Sequence, residues 1–134
     1  GSPPMNFLNG RVTREPNQIR FTENGESPVS FVLNPNLEDK IKSHIDREII
    51  LGIRPENLLD AESVRDLDPS RLISAEIEVN EPMGAETYLY LSTGSHPLVA
   101  RVESNNRYAI GQKLSMYIDQ NFIHLFDPNT ELAL

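Results

Sequence analysis

The 134-residue sequence contains no cysteine and no tryptophan. Without cysteine, disulfide bonds, thiol catalysis and cysteine-ligated zinc sites are excluded. No apolar run approaches the roughly 18 residues of a membrane-spanning helix, so we expect no membrane insertion. Basic residues are also scarce, because 12 Lys and Arg stand against 20 Asp and Glu, for a formal net charge of −8. Nucleic-acid affinity depends mainly on Lys and Arg contacts to phosphate, so we expect no nucleic-acid partner.

Signatures of common catalytic and cofactor sites are absent too. The seven glycines never form GxxxxGKS, GxxxxGKT or GxGxxG, so no loop can cradle nucleotide phosphates. His44, His96 and His124 never fall three to five residues apart, so no local metal pair exists. His124 lies between Ile123 and Leu125 in an apolar strand, which favours a hydrogen-bonded structural histidine over a ligand or base. Gly94-Ser95-His96 indicates a hairpin turn rather than a nucleophile. We therefore expect no catalytic, cofactor-binding or metal-binding residues in this chain.

Alternation of apolar and polar residues dominates what is present. This period of two is typical of strands with one buried face. In Ile73–Val79, for example, Ile73, Ala75, Ile77 and Val79 are predicted to face the core and Glu76 and Glu78 to face water. The strands predicted in this way are Phe7–Val12, Ile19–Thr22, Val29–Leu33, Glu48–Ile53, Ile73–Val79, Thr87–Leu91, Leu98–Glu103, Leu114–Asp119 and Phe122–Phe126.

The remaining segments predict turns, one helix and one loop. Asn24-Gly25 predicts a hairpin turn, and Asn9-Gly10 a break in the chain. Apolar residues spaced by four predict a short helix over Leu37–Ile45, capped by Asn36. Pro55–Leu59 predicts a further helical turn, and the charged segment Asp60–Ser70 an exposed loop. Many short strands and one helix indicate a mainly β sandwich or barrel that forms a single domain.

The segment Leu51–Glu56 combines unusual features. It ends a predicted strand at a rigid corner, since proline fixes the backbone and Gly52 permits a close backbone approach. Arg54 and Glu56 flank Pro55, and this spacing suits an ion pair or an interface hydrogen bond. The physical argument leaves two interpretations open, a structural corner and an interface element.

These six residues, LGIRPE, resemble the signature of the C-terminal regulatory domain of sugar-importing ABC ATPases of the maltose and glycerol-3-phosphate type. Three further segments resemble the same family in the same order: the junction-like start Gly1–Leu8, the turn Glu81–Thr87 and the closing segment His124–Thr130. One difference is Glu131, because the family frequently has glycine at the position after Thr130.

The resemblance implies an OB-like β-barrel of the transport-associated (MOP/TOBE-like) type, with extra strands and one short helix. It implies that residues 1–134 are one non-catalytic regulatory domain of a longer ATPase. ATP and Mg²⁺ would belong to a nucleotide-binding domain outside this sequence. The expected partners are a second copy of the subunit, membrane permease subunits contacted through the missing domain, and a cytoplasmic regulatory protein. The expected location is cytoplasmic, at the inner face of the plasma membrane.

The motif positions are the candidate contacts with a second copy or a regulator. They are Gly52, Arg54, Pro55, Glu56, Glu81, Gly84, Glu86, His124, Phe126 and Asp127. Two other interpretations stay open. One is a stand-alone OB-like module that binds a small anion or an oligosaccharide. The other is an acid/base hydrolase that uses Glu76, Glu78 or Glu86.

Overall fold

Ten strands form in the part of the chain that the computed structural model describes, residues 3–105 and 107–134. The start of the predicted junction, Gly1 and Ser2, lies outside these residues. The strands are β1 (Asn6–Glu15), β2 (Gln18–Glu23), β3 (Ser30–Val32), β4 (Glu48–Ile53), β5 (Leu58–Asp60), β6 (Leu72–Met83), β7 (Glu86–Ser92), β8 (Pro97–Glu103), β9 (Lys113–Ile118) and β10 (His124–Phe126). Every predicted strand overlaps one of them, and β5 was not predicted.

Sheet A consists of five antiparallel strands in the order β10-β4-β1-β2-β3. Its central strand β1 alternates as the sequence predicts, with Leu8 and Val12 fully buried and Phe7 half-exposed. The chain passes from β1 to β2 through a tight turn, in which Glu15 pairs with Gln18. The predicted break at Asn9-Gly10 is wrong, because both residues lie inside β1 and pair with β4.

Sheet B contains the other five strands, also antiparallel, in the order β5-β9-β6-β7-β8. A bulge between Ile77 and Val79 shifts the register of β6 against β7. The Ile77 amide donates to the Gln112 carbonyl at 2.8 Å, and its carbonyl accepts from the Gly111 amide at 2.7 Å. The extra residue reverses the alternation beyond it. Val79, predicted to face the core, is therefore 48% exposed.

The two sheets exchange strands across a shared core. β5 follows the strands of sheet A in sequence but pairs with β9 in sheet B, whereas β10 returns from sheet B to pair with β4. The edge strands β5 and β8 come into contact, so sheet B is a nearly closed barrel. One buried apolar cluster, which includes Phe21 and Leu91, spans both sheets. This arrangement confirms the mainly β barrel-like architecture with one short helix.

The helical segment is less regular than its spacing predicts. Its elements are a 3-10 turn at Pro35–Leu37, one α-helical turn α1 (Glu38–Ile41) and a second 3-10 turn at Lys42–His44. The capping side chain is Asn34, whose Oδ1 accepts from the Asn36 amide at 3.2 Å, so the predicted cap is wrong by two residues. Within the described ranges, no helix is long and apolar enough to cross a membrane.

Three predicted turns and loops have different outcomes. β2 and β3 form a hairpin, but its loop spans residues 24–29 rather than Asn24-Gly25 alone. Pro55–Asn57 forms the predicted helical turn, as a 3-10 helix. Asp60, predicted in an exposed loop, is only 4% exposed, because the chain enters β5 directly after that turn. The local sequence carries no strong strand signal there, and pairing with β9 provides it.

Candidate functional site

Gly52 lies in the middle of a cross-strand row on sheet A. On one side it pairs with Phe7 of β1, and on the other with His124 of β10. A Cβ atom at Gly52 would lie 2.5 Å from the Met5 sulfur and 3.1 Å from the Phe126 ring. Glycine is required here because neighbouring side chains occupy the space above its backbone.

The side chains around Gly52 form an aromatic patch, defined as Met5, Phe7, Gly52, His124 and Phe126. The Phe7 and Phe126 rings meet edge-to-face, with centroids 6.0 Å apart, and the His124 ring stacks on Phe126 at 6.4 Å. Phe7 is 50% exposed and Phe126 is partly buried. The structure thus brings three of the candidate contact residues together with two residues of the junction-like segment that were not among those candidates.

His124 differs from its prediction. The apolar strand around it favoured a hydrogen-bonded structural histidine, but the side chain is exposed. Among residues 3–105 and 107–134 it has no hydrogen-bonding partner, and its contact is the stack on Phe126. The reason is the short strand β10, which exposes alternate residues and buries only Leu125.

Arg54, Pro55 and Glu56 lie directly after β4. Pro55 is buried at the first position of a 3-10 turn, where its missing amide proton is not needed. Arg54 and Glu56 are both exposed, and the described residues provide neither with an ion-pair partner. The segment is therefore a rigid corner that presents one positive and one negative side chain to solvent. Of the two contacts that this spacing suits, the ion pair between Arg54 and Glu56 does not form among the described residues, and the interface hydrogen bond stays a prediction.

Asp127 organises the turn that closes sheet A. Its carboxylate accepts from the amides of Asn129 at 2.8 Å and Thr130 at 3.3 Å, and lies 3.6 Å from the His44 imidazole. The two amide hydrogen bonds, and to a smaller extent His44, lower the pKa of Asp127, while burial acts in the opposite direction. Glu131 ends the turn at φ 60°, a backbone region that favours glycine, which accounts for the glycine frequent in similar sequences.

Glu81, Gly84 and Glu86 lie apart from the aromatic patch, at the β6–β7 hairpin of sheet B. Gly84 occupies the turn with φ 86°, and a Cβ atom there would meet nothing within 4 Å. The Glu86 carboxylate lies 3.4 Å from the Arg101 guanidinium of β8. The ten motif residues therefore form two groups on different sheets, and this hairpin group consists mainly of exposed charges.

Two buried acidic residues, Glu23 and Asp60, were not predicted as site residues from the sequence. Glu23 is 2% exposed and accepts from the His96 Nδ1 at 2.6 Å, the Val29 amide at 3.1 Å and the Thr93 hydroxyl. Asp60 accepts hydrogen bonds from the Tyr108 hydroxyl and from the Arg107 guanidinium. Their side-chain partners are distant in sequence, so no local pattern indicated either set of contacts.

The Asp60 site perturbs the ionisation of Tyr108. The phenol hydroxyl donates to Asp60 Oδ2 at 2.7 Å. Burial first, and then the hydrogen bond and negative charge of Asp60, raise the pKa of Tyr108 to about 12. The favoured neutral form contributes stability below pH 10, and this contribution is lost as the pH rises through about 12.

We expect Asp60→Asn to lower the Tyr108 pKa, because the substitution removes a negative charge beside the phenol. Burial should keep the pKa above the ordinary value of 10.0. A spectrophotometric titration of tyrosinate absorbance measures the change, and Tyr108→Phe identifies which step belongs to this residue. If Tyr108 titrates at the same pH in Asp60→Asn as in the unchanged chain, the role assigned to the Asp60 carboxylate is contradicted.

Comparison with known proteins provides the family. Residues 1–58 match the family model of the MalK OB fold domain, and residues 69–125 match that of the TOBE domain. The trehalose/maltose import ATP-binding protein MalK of Thermococcus litoralis is 33% identical over 140 residues, which span all of this chain and 35% of that protein. The multiple sugar-binding transport ATP-binding protein MsmK of Streptococcus mutans is 32% identical over 134 residues, all of this chain and 34% of that protein.

A solved structure agrees with the fold. The molybdate-bound cytoplasmic protein ModG superposes with a TM-score of 0.63 at 12% sequence identity, covering 92% of this chain and 96% of that chain. The chain spans about a third of the length of the curated relatives it matches. The two family models, which together match residues 1–58 and 69–125, show that the chain belongs to the MalK OB fold and TOBE domain families, whose matched relatives are sugar-transport ATP-binding proteins.

Proposed function

We propose that this chain is the non-catalytic regulatory domain of the ATP-binding subunit of a bacterial carbohydrate importer, and that the aromatic patch binds a second copy. One observation carries the second part. Motif residues from β4 and β10 join Phe7 of β1 in one patch, in which Phe7 and His124 are exposed and Phe126 is partly buried. Phe7 lies on the central strand of sheet A and is still 50% exposed. An exposed patch of this kind is typical of a surface that binds another protein.

The geometry of the patch suits self-association. A two-fold axis would place the patch on its own copy, so that Phe7 and Phe126 of each protomer pack on aromatic rings of the other. Gly52 lets the Met5 and Phe126 side chains close over the centre of the patch, so a second copy would meet side chains there and not backbone. Each copy carries a formal charge of −8, so the charges oppose association and salt should strengthen it.

A persistent contact of this kind would keep two catalytic subunits at high effective concentration while their nucleotide-binding domains open and close. In this proposal ATP and Mg²⁺ bind those domains, which also contact the membrane permease subunits from the cytoplasmic side. The exposed corner of Arg54 and Glu56 and the hairpin with Glu81 and Glu86 remain available to a cytoplasmic regulatory protein. The names of the relatives, a trehalose/maltose import ATP-binding protein and a multiple sugar-binding transport ATP-binding protein, support this assignment.

We expect the 134-residue chain to dimerise at micromolar concentration, and Phe7→Asp to weaken the dimer at least ~10-fold, about 1.4 kcal/mol. The substitution would place a carboxylate in an apolar contact. Sedimentation velocity at two salt concentrations measures both the affinity and its salt dependence. Ile110→Asp is the matched control, since Ile110 is 71% exposed but lies in the loop before β9 of sheet B.

A chain that stays monomeric at high micromolar concentration would overturn the dimer contact. Equal weakening by Phe7→Asp and Ile110→Asp would place the contact on a different surface. Either result leaves the family membership unchanged, because that rests on the sequence matches.

A further inference from the structure

A groove separates the loop before β3 from the outer face of sheet B. Its volume is about 570 Å³, within the range of pockets that hold small organic ligands. Ser27 and Ser30 belong to one wall, and Glu76 and Lys113 lie on the strands opposite. None of these residues belongs to the aromatic patch, so the groove is independent of the proposed dimer contact.

Donors and acceptors alternate across the strands of the groove. Glu76 of β6 pairs in register with Lys113 of β9 on one side and with Ser92 of β7 on the other. This places a carboxylate between an ammonium and a hydroxyl, at the spacing of about 5 Å between neighbouring strands. Glu78 lines the same groove. Within residues 3–105 and 107–134, the side chains of Glu76, Glu78 and Lys113 have no hydrogen-bond or ion-pair partner.

Two hydroxyls of the groove are already oriented. Ser92 Oγ accepts from the Gly94 amide at 2.9 Å, and Ser30 Oγ accepts from Arg20 at 3.2 Å. Each hydroxyl oxygen therefore accepts one hydrogen bond, and its own O–H remains free to donate another. The neighbouring Thr93 is held by its hydrogen bond to the buried Glu23 carboxylate. Contacts within the protein thus hold Ser30, Ser92 and Thr93 in place without a ligand.

The charges of the groove exclude several ligand classes. Two carboxylates against one ammonium disfavour an anion, and the ammonium of Lys113 on β9, beside Glu76, repels a polycation. No group of three metal-ligating side chains occurs in the described part of the chain. A neutral molecule with many hydroxyls fits best, because each of its hydroxyls can donate to a carboxylate and accept from Lys113 or a serine.

We propose that this groove binds a small neutral polyhydroxy compound of monosaccharide to disaccharide size. Glu76 and Glu78 accept hydrogen bonds from ligand hydroxyls, and Lys113 and Ser92 donate to them. The groove is open and has no aromatic side chain on which a sugar ring could stack. We therefore expect weak binding, with a Kd of about 1 mM, suited to sensing an abundant solute.

The test is a titration of the full chain followed by two-dimensional amide NMR, with maltose, trehalose and myo-inositol as probes. Saturable shifts at Ser27–Ser30, Ser74–Glu78 and Lys113 are expected with at least one of them. Glu76→Ala should weaken that binding about tenfold, the effect of losing one hydrogen bond to a charged group. Glu81→Ala is the matched control, since Glu81 is an exposed acid of the same strand outside the groove.

Parallel titrations with spermidine and inorganic phosphate distinguish other ligands. Binding of spermidine alone, or of phosphate alone, would overturn the proposal. The absence of saturable shifts with all three polyhydroxy probes up to roughly 100 mM, a hundredfold above the expected Kd, would overturn it as well. Equal weakening by Glu76→Ala and Glu81→Ala would show that the binding site lies elsewhere. Dispersed amide spectra of both variants establish that they remain folded.

Discussion

Glu23→Ala is expected to lower the free energy of unfolding by about 3 kcal/mol or more, the cost of removing one partner from a buried charged network. The Glu23 side chain is fully buried and accepts three hydrogen bonds, from His96, Thr93 and the Val29 amide. After the substitution these donors would face a small cavity without an acceptor. Denaturant unfolding monitored by circular dichroism measures the loss.

Glu26→Ala is the matched control, because Glu26 is an exposed acid three residues later, in the loop after β2. Its substitution should change stability by no more than about 0.5 kcal/mol. A loss below about 1 kcal/mol in Glu23→Ala would contradict the structural role of the network.

The position of this network explains a second expected effect. Glu23 ends β2 of sheet A, whereas Thr93 and His96 belong to the loop between β7 and β8 of sheet B. The His96 Nε2 also accepts from the Asn9 amide of β1 at 3.3 Å. The network therefore joins the two sheets at one end of the barrel. Hydrogen exchange in Glu23→Ala should accelerate first at β2 and β8, before global unfolding.

Much of the fold could be predicted from alternation alone. A strand with one buried face repeats every two residues, so β1, β7 and β9 are visible in the sequence without any partner. The errors occur where long-range contacts decide the local structure. β5 becomes a strand only because β9 pairs with it, and the bulge after Ile77 exists because the loop at Gln112 takes its hydrogen bonds.

The candidate site could be predicted in part. Family-like motifs indicated Gly52, His124 and Phe126, and the cross-strand register places all three in the aromatic patch. Met5 and Phe7 belong to the junction-like segment but were not candidate contacts, and Phe7 was otherwise predicted only as one residue of an alternating strand. Its role depends on which residue of β4 lies beside it, which the sequence of β1 alone does not determine. Glu23 and His96 are 73 residues apart, so no local pattern could join them.

Gly10 shows the same dependence on a distant partner and leads to the other large expected effect. Gly10 is buried inside β1, with a β-strand backbone that any residue could adopt. A Cβ atom added at Gly10, however, would lie 2.5 and 2.9 Å from two atoms of the buried Phe21 ring. It would also collide with the Thr22 carbonyl oxygen. We expect Gly10→Val to cost at least ~3 kcal/mol, because neither the close-packed ring nor the backbone of β2 can move freely.

Thermal and denaturant unfolding of Gly10→Val measure this cost, with Asn9→Val as the matched control. Asn9 is the preceding residue on the exposed face of the same strand, so valine there adds the same side chain outside the core. We expect Asn9→Val to change stability by at most ~0.5 kcal/mol. Similar losses in both variants would indicate that valine perturbs β1 generally. A loss confined to Gly10→Val would establish that the ring of Phe21 occupies the space where other strands carry a side chain.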